Sequence, residues 1–104
     1  MSKHIKVYEE FFGTRDCELT GLNGADIHHI VAKQMGGSKI RDNIENLMAL
    51  TRQAHEYFGD KKQFKEWLQE WHDQYMKHQT PMYIIRPDDP ILKEYLIKIY
   101  GSYL

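Results

Sequence analysis

The stretch ADIHHIVAKQMGGSKIRDNIENLMALTRQAH, Ala25 to His55, decides how this chain is read. It holds three of the six histidines, His28, His29 and His55, with Gly36-Gly37 and an Asn46-Leu47 step between them. Ala25 to Val31 is β-compatible after a turn-rich segment that ends near Gly24, and it is the expected first strand. Gln34 to Glu45 carries Gly36, Gly37, Ser38, Asp42 and Asn43, a composition that favours irregular backbone. So long a loop is uncommon in a small domain and is usually functional. Asn46 to Leu50 is the expected second strand, antiparallel to the first across that loop. Thr51 can then cap a helix over Arg52 to Phe58, which Gly59 ends.

Outward from this stretch, residues 3 to 12 place Ile5, Tyr8, Phe11 and Phe12 near helical spacing before Gly13. Asp60 is a candidate N-cap for a longer helix from Lys61 to about His78, with Phe64, Trp67, Leu68, Trp71 and Tyr75 on one face. That periodicity makes the two tryptophans core residues first and base-stacking platforms second. Met82 to Ile85, between Pro81 and Pro87, reads as extended. Asp89-Pro90 supplies the cap and first position of a last helix, with Ile91, Leu92, Tyr95, Leu96 and Ile99 on one face and Gly101 at its end. That apolar face can pack within the chain or between subunits, so both monomer and homodimer are open.

At 104 residues the chain is expected to be one domain, 1–104, with a core at about 17–59 and a helical extension at 60–104. With 41% hydrophobic and 12% aromatic residues it should fold. No apolar run approaches the roughly 18 residues that span a bilayer, and MSKHIKVYEE lacks the apolar stretch of a signal peptide. Together with a single cysteine, Cys17, this points to a reducing, cytoplasmic setting without membrane association. The net charge of −1 excludes a general polycation. Charge is nevertheless uneven. Residues 31 to 65 carry Lys33, Lys39, Arg41, Arg52, Lys61, Lys62 and Lys65 against Asp42, Glu45, Glu56 and Asp60, while both flanks are net acidic. A basic surplus around the histidines suits a phosphate-contacting face, for which Lys33, Lys39, Arg41 and Arg52 are the candidates; plain solvation is the competing account.

Hydrolysis of a phosphodiester needs a general base, a cation for the charge on the phosphate and leaving oxygen, and a group that holds the base in place. His29 can serve as the base, since imidazole titrates near about pH 6.5. His28 and His55 can hold a divalent metal through neutral nitrogens. Asn46 can pin the loop that orients His29. Alone, a His-His pair is an ordinary feature of a half-exposed strand, and His55 an ordinary helix-surface residue. One difficulty is geometric: adjacent residues of a regular strand point to opposite faces, so His28 and His29 cannot both aim at one spot.

Asp26-Ile27-His28-His29-Ile30, then Gly36-Gly37, Asn46-Leu47, Leu50 and His55 resemble the HNH endonucleases of the ββα-metal type. The resemblance covers residues 17 to 55. It implies an α+β fold in which a two-stranded antiparallel hairpin with a long loop and a helix grip one catalytic metal, surrounded here by further helices. It implies that His28 and His55 are the metal ligands, that His29 is the general base and that Asn46 is the middle residue of the motif, Asn43 being a loop residue. The implied activity is metal-dependent hydrolysis of DNA to 5′-phosphate and 3′-hydroxyl ends. Mg²⁺ or Mn²⁺ is the expected ion, with Ni²⁺ or Zn²⁺ able to occupy the site. Small nucleases of this kind occur in phage and bacterial genomes, so phage packaging or recombination proteins are implied partners.

Two departures stand out. Many family members hold a structural zinc with two Cys-x-x-Cys pairs, and the corresponding positions here are Cys17 with Thr20 and Thr51 with Ala54. Three thiols are missing, so no structural zinc is expected, and the aromatic helices should supply the stabilisation instead. Colicin-type members place a third histidine ligand four residues after the equivalent of His55, where this chain has Gly59. Asp26 lies close enough in sequence to support the site, although it reads first as an ordinary strand residue; His4, His72 and His78 read as surface or packing residues. The alternative function is a catalytically silent nucleic-acid-binding or protein-interaction module on the same scaffold.

Overall fold

The computed structural model describes residues 3–31 and 42–101. The chain mixes helices with one small sheet. Helix α1 (Lys3–Phe12) precedes strand β1 (Asp26–His29) and strand β2 (Leu47–Leu50), and these are followed by α2 (Arg52–Phe58), α3 (Lys65–His78), α4 (Met82–Ile85) and α5 (Pro90–Tyr100). No helix among the described residues is long and apolar enough to cross a membrane.

β1 and β2 pair antiparallel, with Asp26 opposite Leu50, Ile27 opposite Ala49, His28 opposite Met48 and His29 opposite Leu47. The strands are shorter than the apolar pattern suggests. Ile30 and Val31 leave the ladder, and Asn46 belongs to a 3₁₀ turn over Ile44–Asn46 that Asn43 caps, its side chain accepting from the Glu45 N–H at 3.0 Å. Both strands pack against α1 and against α2. Every residue of β2 is therefore buried, which explains why it reads LMAL without polar alternation.

α2 has the expected bounds and caps: Thr51 accepts from the Ala54 N–H at 3.2 Å, and Gly59 follows its last turn. At the other end of the chain, Asp89 Oδ1 takes the N–H groups of Ile91 and Leu92, both at 3.0 Å, and Pro90 opens α5. Gly13 and Gly101 close α1 and α5 with φ of 76°, a conformation that costs glycine little.

Three expectations are corrected. Asp60 does not cap the long helix: it turns the chain with φ of 59°, Lys62–Phe64 form a 3₁₀ turn, and α3 starts only at Lys65. Met82–Ile85 is a short helix rather than an extended segment, because the Met82 N–H is taken by the Glu18 carbonyl and the Arg86 N–H by the Met82 carbonyl. Phe11 is half exposed, and Tyr8 and Phe12 carry the buried face of α1. Lys33, Lys39, Arg41 and Gly36-Gly37 lie outside the described residues.

Two assemblies hold these elements together. The first is aromatic: the Phe58 ring lies 5.0 Å from Phe64, 4.9 Å from Trp67 and 5.0 Å from Tyr95, joining α2, α3 and α5. Cys17, Thr20, Thr51 and Ala54 are all buried, so these four positions are part of a packed interior. The C-terminal helix buries Leu92, Tyr95 and Leu96 within the chain, leaving Ile97 and Ile99 exposed.

The second assembly is polar and centres on Glu18, which is fully buried. Its carboxylate accepts from Tyr8 Oη at 2.8 Å, from the Ala49 N–H at 3.2 Å and from His72 Nδ1 at 2.8 Å. Its own N–H donates to the Ala49 carbonyl, and its carbonyl accepts from Trp71 Nε1 and the Met82 N–H, all at 2.9 Å. His72 Nε2 lies 2.7 Å from the Ile44 carbonyl. A carbonyl only accepts, so Nε2 carries a proton, and a second proton is shared between Nδ1 and Glu18. Burial alone would lower the His72 pKa, but the hydrogen bond and charge of Glu18 and the Ile44 carbonyl more than reverse it, so His72 holds its proton to higher pH than free imidazole.

Removing one partner of a buried pair leaves the other uncompensated, so His72→Ala should cost about 3–5 kcal/mol, read as a lower midpoint in urea denaturation. The raised folded-state value fixes the pH dependence. In the wild type the stabilisation is fully present below the ordinary histidine value of 6.5 and is lost as pH rises through the folded value. Denaturation curves from pH 6 to pH 9 should show that decline, and in His72→Ala it should be absent.

Candidate functional site

β1 delivers its two histidines to different neighbours, as strand alternation requires. His28 is buried, and its ring lies 5.0 Å from that of His55 on α2, tilted by 60°. Burial, with lesser contributions from the neighbouring histidines His55 and His29, pushes the His28 pKa down to about 4, while Asp60 opposes the shift. It therefore stays neutral at physiological pH and keeps a lone pair available for a metal.

His55 is oriented from behind. Asp26 Oδ2 lies 3.3 Å from His55 Nδ1 and also 3.2 Å from Arg52 Nε. A carboxylate only accepts, so the His55 proton sits on Nδ1 and the Nε2 lone pair is presented on the far side of the ring. Asp26 thus takes the supporting position rather than that of an ordinary exposed strand residue. Two imidazoles on one ion at about 2.1 Å per bond, with about 1.2 Å from nitrogen to ring centre, place ring centres about 4.6–5.3 Å apart for bond angles between octahedral and tetrahedral. The 5.0 Å separation of His28 and His55 falls inside that range. The spacing and the free nitrogens of these two residues fit a divalent ion.

Gly59 follows α2 and lies directly against this pair. Its φ of −66° is open to any residue, so the need for glycine is one of space. A Cβ at position 59 would sit 2.6 Å from His55 Cδ2 and 3.4 Å from His28 Cε1, and would also collide with the His55 carbonyl. A third histidine ligand at this position is incompatible with the His55 placement seen here.

His29 occupies other surroundings. Its Nε2 is 3.2 Å from Asp42 Oδ1, and its ring is 4.9 Å from that of His4 in the first turn of α1. Asp42 places the proton of neutral His29 on Nε2, which leaves Nδ1 as the basic nitrogen. The segment just after His29 is clamped by Asn46: the side-chain Oδ1 accepts from the Val31 N–H at 2.7 Å, the side-chain Nδ2 donates to the Val31 carbonyl at 3.2 Å, and the Asn46 carbonyl accepts from the Ile30 N–H at 2.9 Å.

A cleft of about 280 Å³ opens beside the pair, with His4, Arg15, Asp26, Arg52 and His55 in its walls. Arg15 Nε is buried there without a hydrogen-bond partner. Arg52 engages Asp26 through Nε while its side chain remains 70% exposed. Two guanidinium groups beside His55 provide a positively charged seat of the kind that phosphate takes.

Of the residues expected from sequence, His28 and His55 come together, His29 stands apart from them, Asn46 holds the strand end and Arg52 lines the cleft. His4, Arg15 and Asp42 were not expected at the site. His4 had a detectable signal, since positions 4, 8 and 12 form one helical row whose other members, Tyr8 and Phe12, are buried. Asp42 and Arg15 had none: the partner of Asp42, His29, lies 13 residues away, and no periodicity governs either loop.

Gly59→Ala should displace the His55 ring. The expected outcome is Mn²⁺ affinity weaker by at least about tenfold, measured by calorimetric titration, with a stability loss of about 1–3 kcal/mol from overpacking. Unchanged Mn²⁺ affinity would remove His55 from the ligand set.

Comparisons of this chain with protein-family models, with curated proteins and with solved structures gave no match.

Proposed function

We propose that this protein is a metal-dependent DNA endonuclease of the HNH type, with β1, β2 and α2 as its ββα-metal core. The observation that carries this reading is the pairing of a neutral, buried His28 with a carboxylate-oriented His55 at ligand spacing, beside an asparagine that clamps the strand end after His29. Mg²⁺ or Mn²⁺ held by His28 and His55 would supply positive charge to the scissile phosphate and to the departing 3′ oxygen. His29 takes a proton from the attacking water through Nδ1. Asp42 keeps its other nitrogen protonated, and Asn46 fixes the backbone that carries it. Arg15 and Arg52 seat the phosphodiester in the cleft. Lys33, Lys39 and Arg41 are further candidates for backbone contacts on the basic stretch.

One observation favours a second reading, a nucleic-acid- or protein-binding module without cleavage: the His29 side chain is only 10% exposed and already contacts Asp42 and His4. A working base must reach its water, so a nuclease has to open this contact when substrate binds.

Plasmid cleavage separates the two. The purified chain should nick or cut plasmid with Mg²⁺ or Mn²⁺ and stop with chelator. His29→Ala should lose at least about 100-fold in rate while binding Mn²⁺ like the wild type. His28→Ala should lose both cleavage and Mn²⁺ binding. Cleavage by His29→Ala at the wild-type rate removes His29 as base, and metal binding without any cleavage establishes the silent module.

A further inference from the structure

His29 shares its environment with two other metal-ligating groups outside the His28–His55 pair: Asp42, and His4, which also lines the cleft. One donor atom from each of His4, His29 and Asp42 lies within 4.8 Å of the others. His29 Nε2 and Asp42 Oδ1 are already 3.2 Å apart. That is close to the edge of a zinc tetrahedron, since two ligands at about 2.0–2.1 Å and a tetrahedral angle lie about 3.3 Å from one another. The His4 and His29 ring centres are 4.9 Å apart and tilted by 52°, again within the range of about 4.6–5.3 Å for two imidazoles on one ion.

The donor set also selects the ion. Two imidazoles and one carboxylate leave a fourth position for water, a coordination that suits zinc and its transition-metal neighbours. Magnesium prefers an oxygen shell that includes several waters. The three groups come from separate segments, the first turn of α1, the end of β1 and the residue that precedes the Asn43 cap, so an ion here would tie α1 to the hairpin. All three are partly buried, which lowers the hydration of the ligands while leaving access.

We propose that His4, His29 and Asp42 form a second cation site, selective for a zinc-class transition ion and distinct from the His28–His55 pair. Binding displaces the proton from His29 Nε2, and the ring stays neutral with its proton on Nδ1. The consequence for activity rests on the nuclease reading: a zinc-ligated His29 cannot accept a proton from water, so this site would inhibit cleavage that Mg²⁺ or Mn²⁺ supports at the other pair.

The test is zinc titration of the full chain against a chromophoric chelator, with circular dichroism to verify folding. The wild type should bind two zinc ions and His4→Ala one. Asp42→Asn should weaken the same ion by at least about tenfold. In a His28→Ala/His55→Ala background one zinc should remain, and adding His4→Ala should abolish it. Zinc stoichiometry and affinity unchanged by both His4→Ala and Asp42→Asn would overturn the proposal. His4 sits in a partly exposed first helical turn, so its substitution leaves the core intact. Should the double background fail to fold, the comparison of wild type with the two single variants decides. His4-dependent zinc binding without cleavage by any form keeps this site and removes the nuclease; cleavage without His4-dependent zinc binding does the reverse.

Discussion

A buried carboxylate with three hydrogen-bond donors governs this fold. Glu18 has no exposed surface, and burying an unpaired charge would cost far more than a small domain's margin of stability. Burial raises its pKa, and the hydrogen bond and charge of His72, with Tyr8 and the Ala49 N–H, work against that rise. Each of those donors comes from a different element: Tyr8 from α1, Ala49 from β2 and His72 from α3. Meeting the needs of one side chain therefore fixes three elements at once, a specificity that apolar packing, which is non-directional, does not give. The same residue solves an edge problem. Ala49 turns its N–H and carbonyl away from β1, and Glu18 takes both, the first with its side chain and the second with its backbone, so the outer edge of β2 is closed.

The network reaches the candidate site through His72. Its Nε2 holds the Ile44 carbonyl, two residues from Asp42 on one side and two from Asn46 on the other. Asp42 contacts His29, and Asn46 clamps Val31. Hydrogen bonds joined by two short stretches of backbone thus connect the buried carboxylate to the strand end that carries His29. The His28–His55 pair is supported differently: it rests on the hairpin, on α2 and on the Phe58 aromatic cluster that holds α2 against α3 and α5. The site is assembled from two supports, one polar and one aromatic.

Much of this was legible in the sequence where local rules apply. The hairpin, the α2 bounds, the Thr51 and Asp89 caps and the Leu92, Tyr95 and Leu96 part of the α5 face follow from pattern and capping chemistry, whereas Ile99 is exposed. Local rules failed where a distant partner overrode them. Asp60 looks like a cap, but the chain needs a left-handed turn there to place Phe64 against Phe58. Met82 to Ile85 looks extended between prolines, yet the Glu18 and Leu19 carbonyls take its first two N–H groups while bonds to the Pro81 and Met82 carbonyls close a turn of helix. Glu18 itself carries no signal, being a charged residue in a turn-rich segment whose partners lie 10, 31 and 54 residues away. His72 could have been found, since it falls among Leu68, Trp71 and Tyr75 on the buried face of α3. For the site, sequence supplied the residue types and their pairing, while the separation of His29 from His28 followed from alternation alone.

That separation is also the reason an asparagine is needed. On the proposed nuclease reading, with neighbouring side chains on opposite faces, His28 and His29 serve one substrate only if it reaches both from the end of the strand, so the strand has to stop at His29 without losing its direction. A backbone partner opposite Val31 would extend the ladder and close that end. The Asn46 side chain instead offers one acceptor to the Val31 N–H and one donor to its carbonyl, reproducing the two bonds of a strand partner while its own backbone turns away into the 3₁₀ segment. Aspartate has the same shape but only acceptors, and would oppose the Val31 carbonyl with another oxygen; leucine would leave both groups of Val31 unpaired in a part-buried place. Among side chains of this length, only the amide both ends the strand and holds it.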